Sequence, residues 1–136
     1  MTSSATTRLS FDPVSAPLLG STLVEASAGT GKTHTITRLY LRLLLHGVPG
    51  HNGTAPQPMP VPSILVVTFT EAATIELRGR IRRLLTDALD ALDRSTIDTL
   101  DPVTQAVLTS VAPERAHALL LDALRNFDAA AIHTIH

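Results

Sequence analysis

The sequence predicts an α/β fold in which helices flank a parallel β-sheet. Three observations lead there. Apolar segments of strand and helix character alternate along the first ninety or so residues. A glycine-bearing turn joins the first of these strands to the first helix, and an apolar stretch over residues 130–136 supplies another strand after a run of helices. Strand, helix, strand, helix in that order implies parallel strands joined by right-handed crossovers.

The elements follow in sequence order. Residues 1–20 read as a leader segment, Ser/Thr-rich at first and then punctuated by Pro13 and Pro17. A short apolar run, Thr22-Leu23-Val24-Glu25-Ala26, follows Gly20 and suits a buried strand. Ile36, Leu39, Tyr40, Leu43 and Leu44 then recur at the spacing of one helical face, which Gly47 and Pro49 close. Residues 47–62 concentrate Gly and Pro, the mark of an exposed, mobile loop.

The continuous β-branched run over residues 63–68 predicts a strand covered on both faces. A long helix is expected from about Glu71, with Leu77, Ile81, Leu84, Leu85, Ala88 and Leu92 along one side. Beyond Ser95 the pattern stays helical. Asp101-Pro102 supplies an N-cap and first-turn pair. Pro113 opens a further helix whose apolar face is Ala116, Leu119, Leu120, Ala123, Leu124 and Phe127. There is no internal repeat.

Composition narrows the possible functions. The 136 residues fit one domain, and an apolar fraction of 44% supports a substantial core. One Tyr, three Phe and no Trp provide few stacking platforms for single-stranded bases. The net charge of −1 rules out bulk polyanion attraction, so any nucleic-acid contact must be local. The absence of Cys excludes disulfides and Cys-ligated zinc and fits a reducing compartment. No signal-peptide h-region and no membrane-spanning apolar run stand in the sequence, so the expectation is a soluble, cytoplasmic protein with no membrane partner.

The chemistry lies at Ala26-Ser27-Ala28-Gly29-Thr30-Gly31-Lys32-Thr33. A strand, this turn and a helix, in that order, form the setting of a phosphate-binding P-loop, here with Ala26 at the position of its first glycine. Gly29 and Gly31 lack Cβ, which lets consecutive backbone amides curl around an anion. The helix beginning near Gly31 adds its positive dipole end. Lys32 reaches the β- and γ-phosphates of a nucleoside triphosphate, and the Thr33 hydroxyl can ligate Mg²⁺. A glycine-containing turn with a surface lysine is the bland alternative; the strand before, the helix after and the Gly-Lys-Thr triplet count against it.

A second motif follows the second strand, Thr68-Phe69-Thr70-Glu71-Ala72-Ala73-Thr74-Ile75-Glu76-Leu77-Arg78-Gly79-Arg80. It resembles motif Ia of superfamily 1 helicases of the UvrD and PcrA kind, which reads T-F-T-N-K-A-A-x-E-M-x-x-R. Thr68, Phe69, Thr70, Glu76 and Arg80 match, and Glu71-Ala72 replaces the N-K pair. With that wording, the Leu23–Thr33 stretch, the upstream Asp12-Pro13 and Pro17-Leu18-x-Gly20, and the closing Ile132-x-Thr134-Ile135-His136, the chain resembles the RecB-type family, the beta subunits of exodeoxyribonuclease V. The resemblance runs from about residue 11 to the end and is weakest over 47–62 and 95–127.

That resemblance implies an incomplete helicase domain 1A, a partial RecA-like P-loop NTPase fold, over residues 21–136, with the loop at 47–62 and a helical insertion at 95–127. It implies ATP and Mg²⁺ as cofactors. Single-stranded DNA and duplex ends, and the gamma and alpha subunits of a RecBCD complex, are the implied partners. Thr68, Phe69, Thr70, Arg80 and His136 are the implied DNA contacts, at the C-terminal edge of the sheet. Phe69 could stack on a base or sit in the core, and Arg78, Arg80, Arg82 and Arg83 could bind backbone or form a solvated face with one or two ion pairs. His133 and His136 are spaced to face opposite sides of a strand, which disfavours a metal pair.

A helicase motor also needs a carboxylate pair at a strand end and an arginine finger. No apolar strand here ends in Asp-Glu, the second RecA-like domain and the nuclease domain of the RecB family have no counterpart, and residues 1–33 hold no adenine-reading Gln. The expectation is therefore a fragment or truncated gene product, inactive alone. Another superfamily 1 helicase or AddA-like nuclease, a small P-loop phosphotransferase, and a non-catalytic remnant are the competing readings; the phosphotransferase leaves residues 68–80 unexplained.

Overall fold

The computed structural model describes residues 11–20 and 31–135. The strand expected at 22–26, residues 26–30 of the phosphate loop and His136 lie outside them. The first helix, α1, runs over Lys32–Leu45 and the second, α2, over Glu71–Arg94. Between them stands β1, Leu65–Thr68. Two shorter helices, α3 at Pro102–Thr109 and α4 at Pro113–Arg125, precede β2, Ala131–Thr134. The two strands pair in parallel, Leu65 opposite Ala131 through Thr68 opposite Thr134. This is a mixed helix–strand architecture, a parallel pair with helices against it, consistent with a partial RecA-like fold.

Local chemistry sets the helix ends. Thr70 caps α2 by accepting the Ala73 N–H at 3.1 Å, with Glu71 favourably placed in the first turn. Ser95, in the left-handed region, ends that helix. Asp101 caps α3 through the Thr104 N–H at 3.1 Å, with Pro102 in its first turn as the sequence indicates. Pro113 opens α4 in the same way. Gly47 closes α1 with φ 75° and donates to the Leu43 carbonyl at 2.9 Å. A Cβ at Gly47 would collide with the Gln57 carbonyl, so this turn needs glycine on two counts.

One core joins all four helices and the sheet. Tyr40, Leu41, Leu44 and Leu45 of α1 meet Leu77, Ile81, Leu84, Leu85 and Ala88 of α2. Val61, Ile64, Val107, Leu108, Leu120, Ala123, Phe127, Ala130 and Ile132 complete it. Each large side chain removed from water contributes about 1.5–3 kcal/mol. The expected faces of α2 and α4 are the buried ones, with Leu92, Leu119 and Leu124 only partly covered.

Two expectations need correction. The buried stripe of α1 is Thr37, Tyr40, Leu41, Leu44 and Leu45, whereas Ile36 is 40% exposed. The same spacing fits both stripes because α1 is apolar on most sides after Leu39. Thr37 goes inward despite its hydroxyl, which donates to the His34 carbonyl at 2.8 Å. Nor is β1 covered on both faces: Leu65 is 68% and Val67 51% exposed. Among the described elements α2 packs on the other side, where Val66 and Thr68 lie, so one face stays open.

The segments outside these elements are anchored. Arg42 donates to the carbonyls of Pro13 and Ala16, holding residues 11–20 against α1. The excursion over 47–62 exposes its tip, but its ends are tied by an antiparallel bridge between Val48 and Gln57 and by Met59 N–H donating to Leu43 at 3.1 Å.

Candidate nucleotide and nucleic-acid site

The described part of the phosphate loop is Gly31, Lys32 and Thr33. Gly31 is the N-cap of α1 with φ 69° and ψ −7°, a left-handed conformation that strains any residue with a side chain. Among the described residues no side chain caps this helix end, and its first turn holds no acid. Gly31 thus offers the leading amides no side-chain acceptor of its own, and the dipole end has no carboxylate on its own helix. Lys32 is exposed and forms no ion pair among the described residues. A helix start without an acid, a left-handed glycine, an exposed ammonium and an adjacent hydroxyl suit a Mg-triphosphate.

A cavity of about 470 Å³ opens beside Thr33, lined by Thr33, His34, Thr37 and Arg38 of α1 and by Arg80, Arg83, Leu84 and Asp87 of α2. Arg38 bonds Asp101 at 2.7 Å, and His34 lies 3.7 Å from the same carboxylate. Burial acts to raise the Asp101 pKa, yet the hydrogen bonds from Arg38 and Thr104 and the guanidinium charge hold it well below the usual carboxylate range. The folded pKa is depressed, so this interaction stabilises the fold above the ordinary value of 3.8 and is lost as pH falls through and below it. Asp101→Asn keeps a capping oxygen and removes the charge. Urea unfolding should show it about 1–2 kcal/mol less stable at pH 7, with the gap closing below about pH 3. A gap that does not change with pH would contradict the ion pair.

The four clustered arginines of α2 take separate tasks. Arg78 donates to the Ile132 carbonyl at 3.0 Å and ties α2 to β2. Arg82 lies 5.6 Å from the centre of the Phe127 ring, within cation–π range. Arg80 pairs with Glu76 at 2.8 Å, an exposed pair worth little, and with Arg83 faces the cavity. Arg80 is thus grouped with Thr33. It lies ten residues along α2 from Thr70, roughly 15 Å by helical rise.

Thr68, Phe69 and Thr70 gather at the C-terminal edge of the sheet. Phe69 is 86% exposed, so it is not a core residue. Thr68 donates to the Thr70 carbonyl at 3.0 Å, and the Thr70 oxygen is engaged as the α2 cap. Ile75 and Ile135 are exposed hydrophobic residues, Ile75 near the start of α2 and Ile135 following β2. Sequence reasoning missed Thr74, Arg38 and Asp101 as parts of this region. Only the Asp101 cap left a local signal.

The architecture is consistent with a helicase N-terminal domain. Residues 10–136 match the UvrD/REP helicase N-terminal domain model, and the chain belongs to that family. Among characterised relatives it is 50% identical over 129 residues to the RecBCD enzyme subunit RecB of Escherichia coli, which covers 93% of this chain and 10% of that protein. The RecB subunit of Haemophilus influenzae is 45% identical over 133 residues, covering 93% and 11%. That of Mycolicibacterium smegmatis is 40% identical over 115 residues, covering 85% and 10%. The chain spans about a tenth of the length of these relatives.

Among the described residues no helix is long and apolar enough to cross a membrane.

Proposed function

We propose that the chain is the ATP-binding N-terminal portion of a RecB-type helicase–nuclease subunit. In this reading the parent unwinds and degrades DNA ends in double-strand-break repair and recombination, in the cytoplasm, with the gamma and alpha subunits of a RecBCD complex. The observation that carries it is the acid-free start of α1, where a left-handed Gly31 and an exposed Lys32 lead into Thr33 at the mouth of a cavity, in a chain of the UvrD/REP family.

Residues 26–33 would hold the ATP phosphates, with Lys32 on the β- and γ-oxygens and Thr33 on Mg²⁺. Thr68, Phe69, Thr70 and His136 would line the single-strand path. Arg80, assigned to DNA by family likeness, lines the cavity beside Thr33, which supports a role toward charge bound near Thr33 instead. Residues 1–20 would be a leader and 95–127 a helical insertion within domain 1A; α3 and α4 of that insertion share the main core. Neither β1 nor β2 ends in a carboxylate pair, so the chain by itself is assigned binding without useful hydrolysis or unwinding.

The test is thermal or urea unfolding with and without Mg-ATP. A ligand at a hundred times its Kd stabilises the native state by about 2.7 kcal/mol. Saturable, Mg²⁺-dependent stabilisation is expected. No shift at millimolar Mg-ATP would overturn the proposal.

A further inference from the structure

We propose that Thr74 is a positioning residue whose hydroxyl locks the ends of the two parallel strands into one rigid edge, and so aims Phe69 at single-stranded nucleic acid. The aiming rests on the nucleic-acid reading above; the lock itself does not.

The lock is a cluster of hydroxyls. Thr74 stands in the first turn of α2 and is 9% exposed. Its Oγ1 lies 2.5 Å from Thr68 Oγ1 and 2.6 Å from Thr134 Oγ1, and it can donate to the Thr70 carbonyl at 3.2 Å. Thr68 and Thr134 are the last opposed pair of the ladder, and the Ile135 N–H continues it by donating to the Thr68 carbonyl at 2.8 Å. One side chain from the helix therefore spans the final rung of the sheet.

A hydroxyl offers one donor and two acceptor lone pairs, enough to serve both neighbours at once. A methyl in its place would leave Thr134 without its only hydroxyl partner among the described residues. The residues held on either side are the ones that reach outward. Phe69 sits between Thr68, fixed in the ladder, and Thr70, fixed as the helix cap. Ile135 follows Thr134 directly.

The motif supplies a contrast. In the UvrD-type wording T-F-T-N-K-A-A-x-E-M, the position of Thr74 is alanine, which cannot make this bridge. Here a helix residue cross-links two strand ends that come together only in the fold, Thr68 and Thr134.

The experiment compares the wild-type chain with Thr74→Val, which keeps the shape and loses the hydroxyl, and Thr74→Ser, which restores it. Two quantities are read: amide hydrogen exchange at Ala73, Thr74 and Ile135, whose N–H groups bond Thr70 and Thr68, and affinity for a labelled oligo-dT, with unfolding temperature followed alongside. Thr74→Val should exchange faster at those three amides and bind oligo-dT roughly tenfold more weakly, the scale of one buried hydrogen bond. Thr74→Ser should return both quantities to near wild type. Exchange in Thr74→Val equal to wild type would overturn the lock. Faster exchange with unchanged oligo-dT affinity would overturn the aiming role. Failure of the wild-type chain to bind oligo-dT would sink the nucleic-acid reading, and with it the aiming, while exchange still decides the lock.

Discussion

Lys32→Ala is expected to weaken Mg-ATP binding, and the stabilisation it brings, while leaving the unliganded chain as stable as before. Lys32 is exposed, makes no ion pair among the described residues and stands first in α1. Alanine is a good helix former, so intrinsic stability should change by less than about 0.5 kcal/mol. The ammonium would make charge-assisted bonds to phosphate oxygens, each worth about 1.5–3 kcal/mol, or roughly 10- to 150-fold in affinity. Calorimetric titration of both proteins with Mg-ATP measures the ratio directly. Equal affinities would remove Lys32 from the site even if the chain binds nucleotide elsewhere.

Ile81→Ala should produce the largest loss of stability. Ile81 is fully buried at mid-length in α2, within the core that α1, α3, α4 and β2 share. Truncation removes buried methyl groups and leaves a cavity that helices on several sides cannot all collapse into, at a cost of about 2–5 kcal/mol. Domains of this size are stable by about 5–15 kcal/mol, so the unfolding midpoint in urea should fall markedly. Ile75→Ala on the same helix is the control. Ile75 is 71% exposed, and its truncation should cost less than about 0.5 kcal/mol. Similar losses for the two variants would show that α2 does not face the core as described.

Much of this arrangement was legible beforehand because it is encoded locally. Asp101-Pro102 and Pro113 announce α3 and α4, and the spacing from Leu77 to Leu92 gives the inward face of a helix expected from about Glu71. The pairing strand at 131–134 was visible as an apolar stretch after the helices. Where the signal was ambiguous, the reading failed. The second half of α1 carries leucines on nearly every side, so periodicity could not choose between the stripe through Ile36 and the one through Thr37. A continuous β-branched run says that a strand forms, but not how many layers cover it, and the exposure of Leu65 and Val67 depends on neighbours.

The candidate site divides in the same way. Gly31, Lys32 and Thr33 stand where the motif requires, at a helix start. The residues that support the surrounding region were not legible. Arg38 meets Asp101 across 63 positions and Thr74 meets Thr134 across 60. Such pairs are products of register and packing, and a single sequence records neither.

The tied base of the 47–62 excursion has an evolutionary consequence. With Val48 bridged to Gln57 and Met59 bound to Leu43, the segment between those knots is mechanically separate from α1 before it and β1 after it. Residues can be gained or lost there at a small entropic cost, about 0.6 kcal/mol for each doubling of length. Natural variation in this lineage can therefore accumulate at that tip without shifting Lys32 or Thr68.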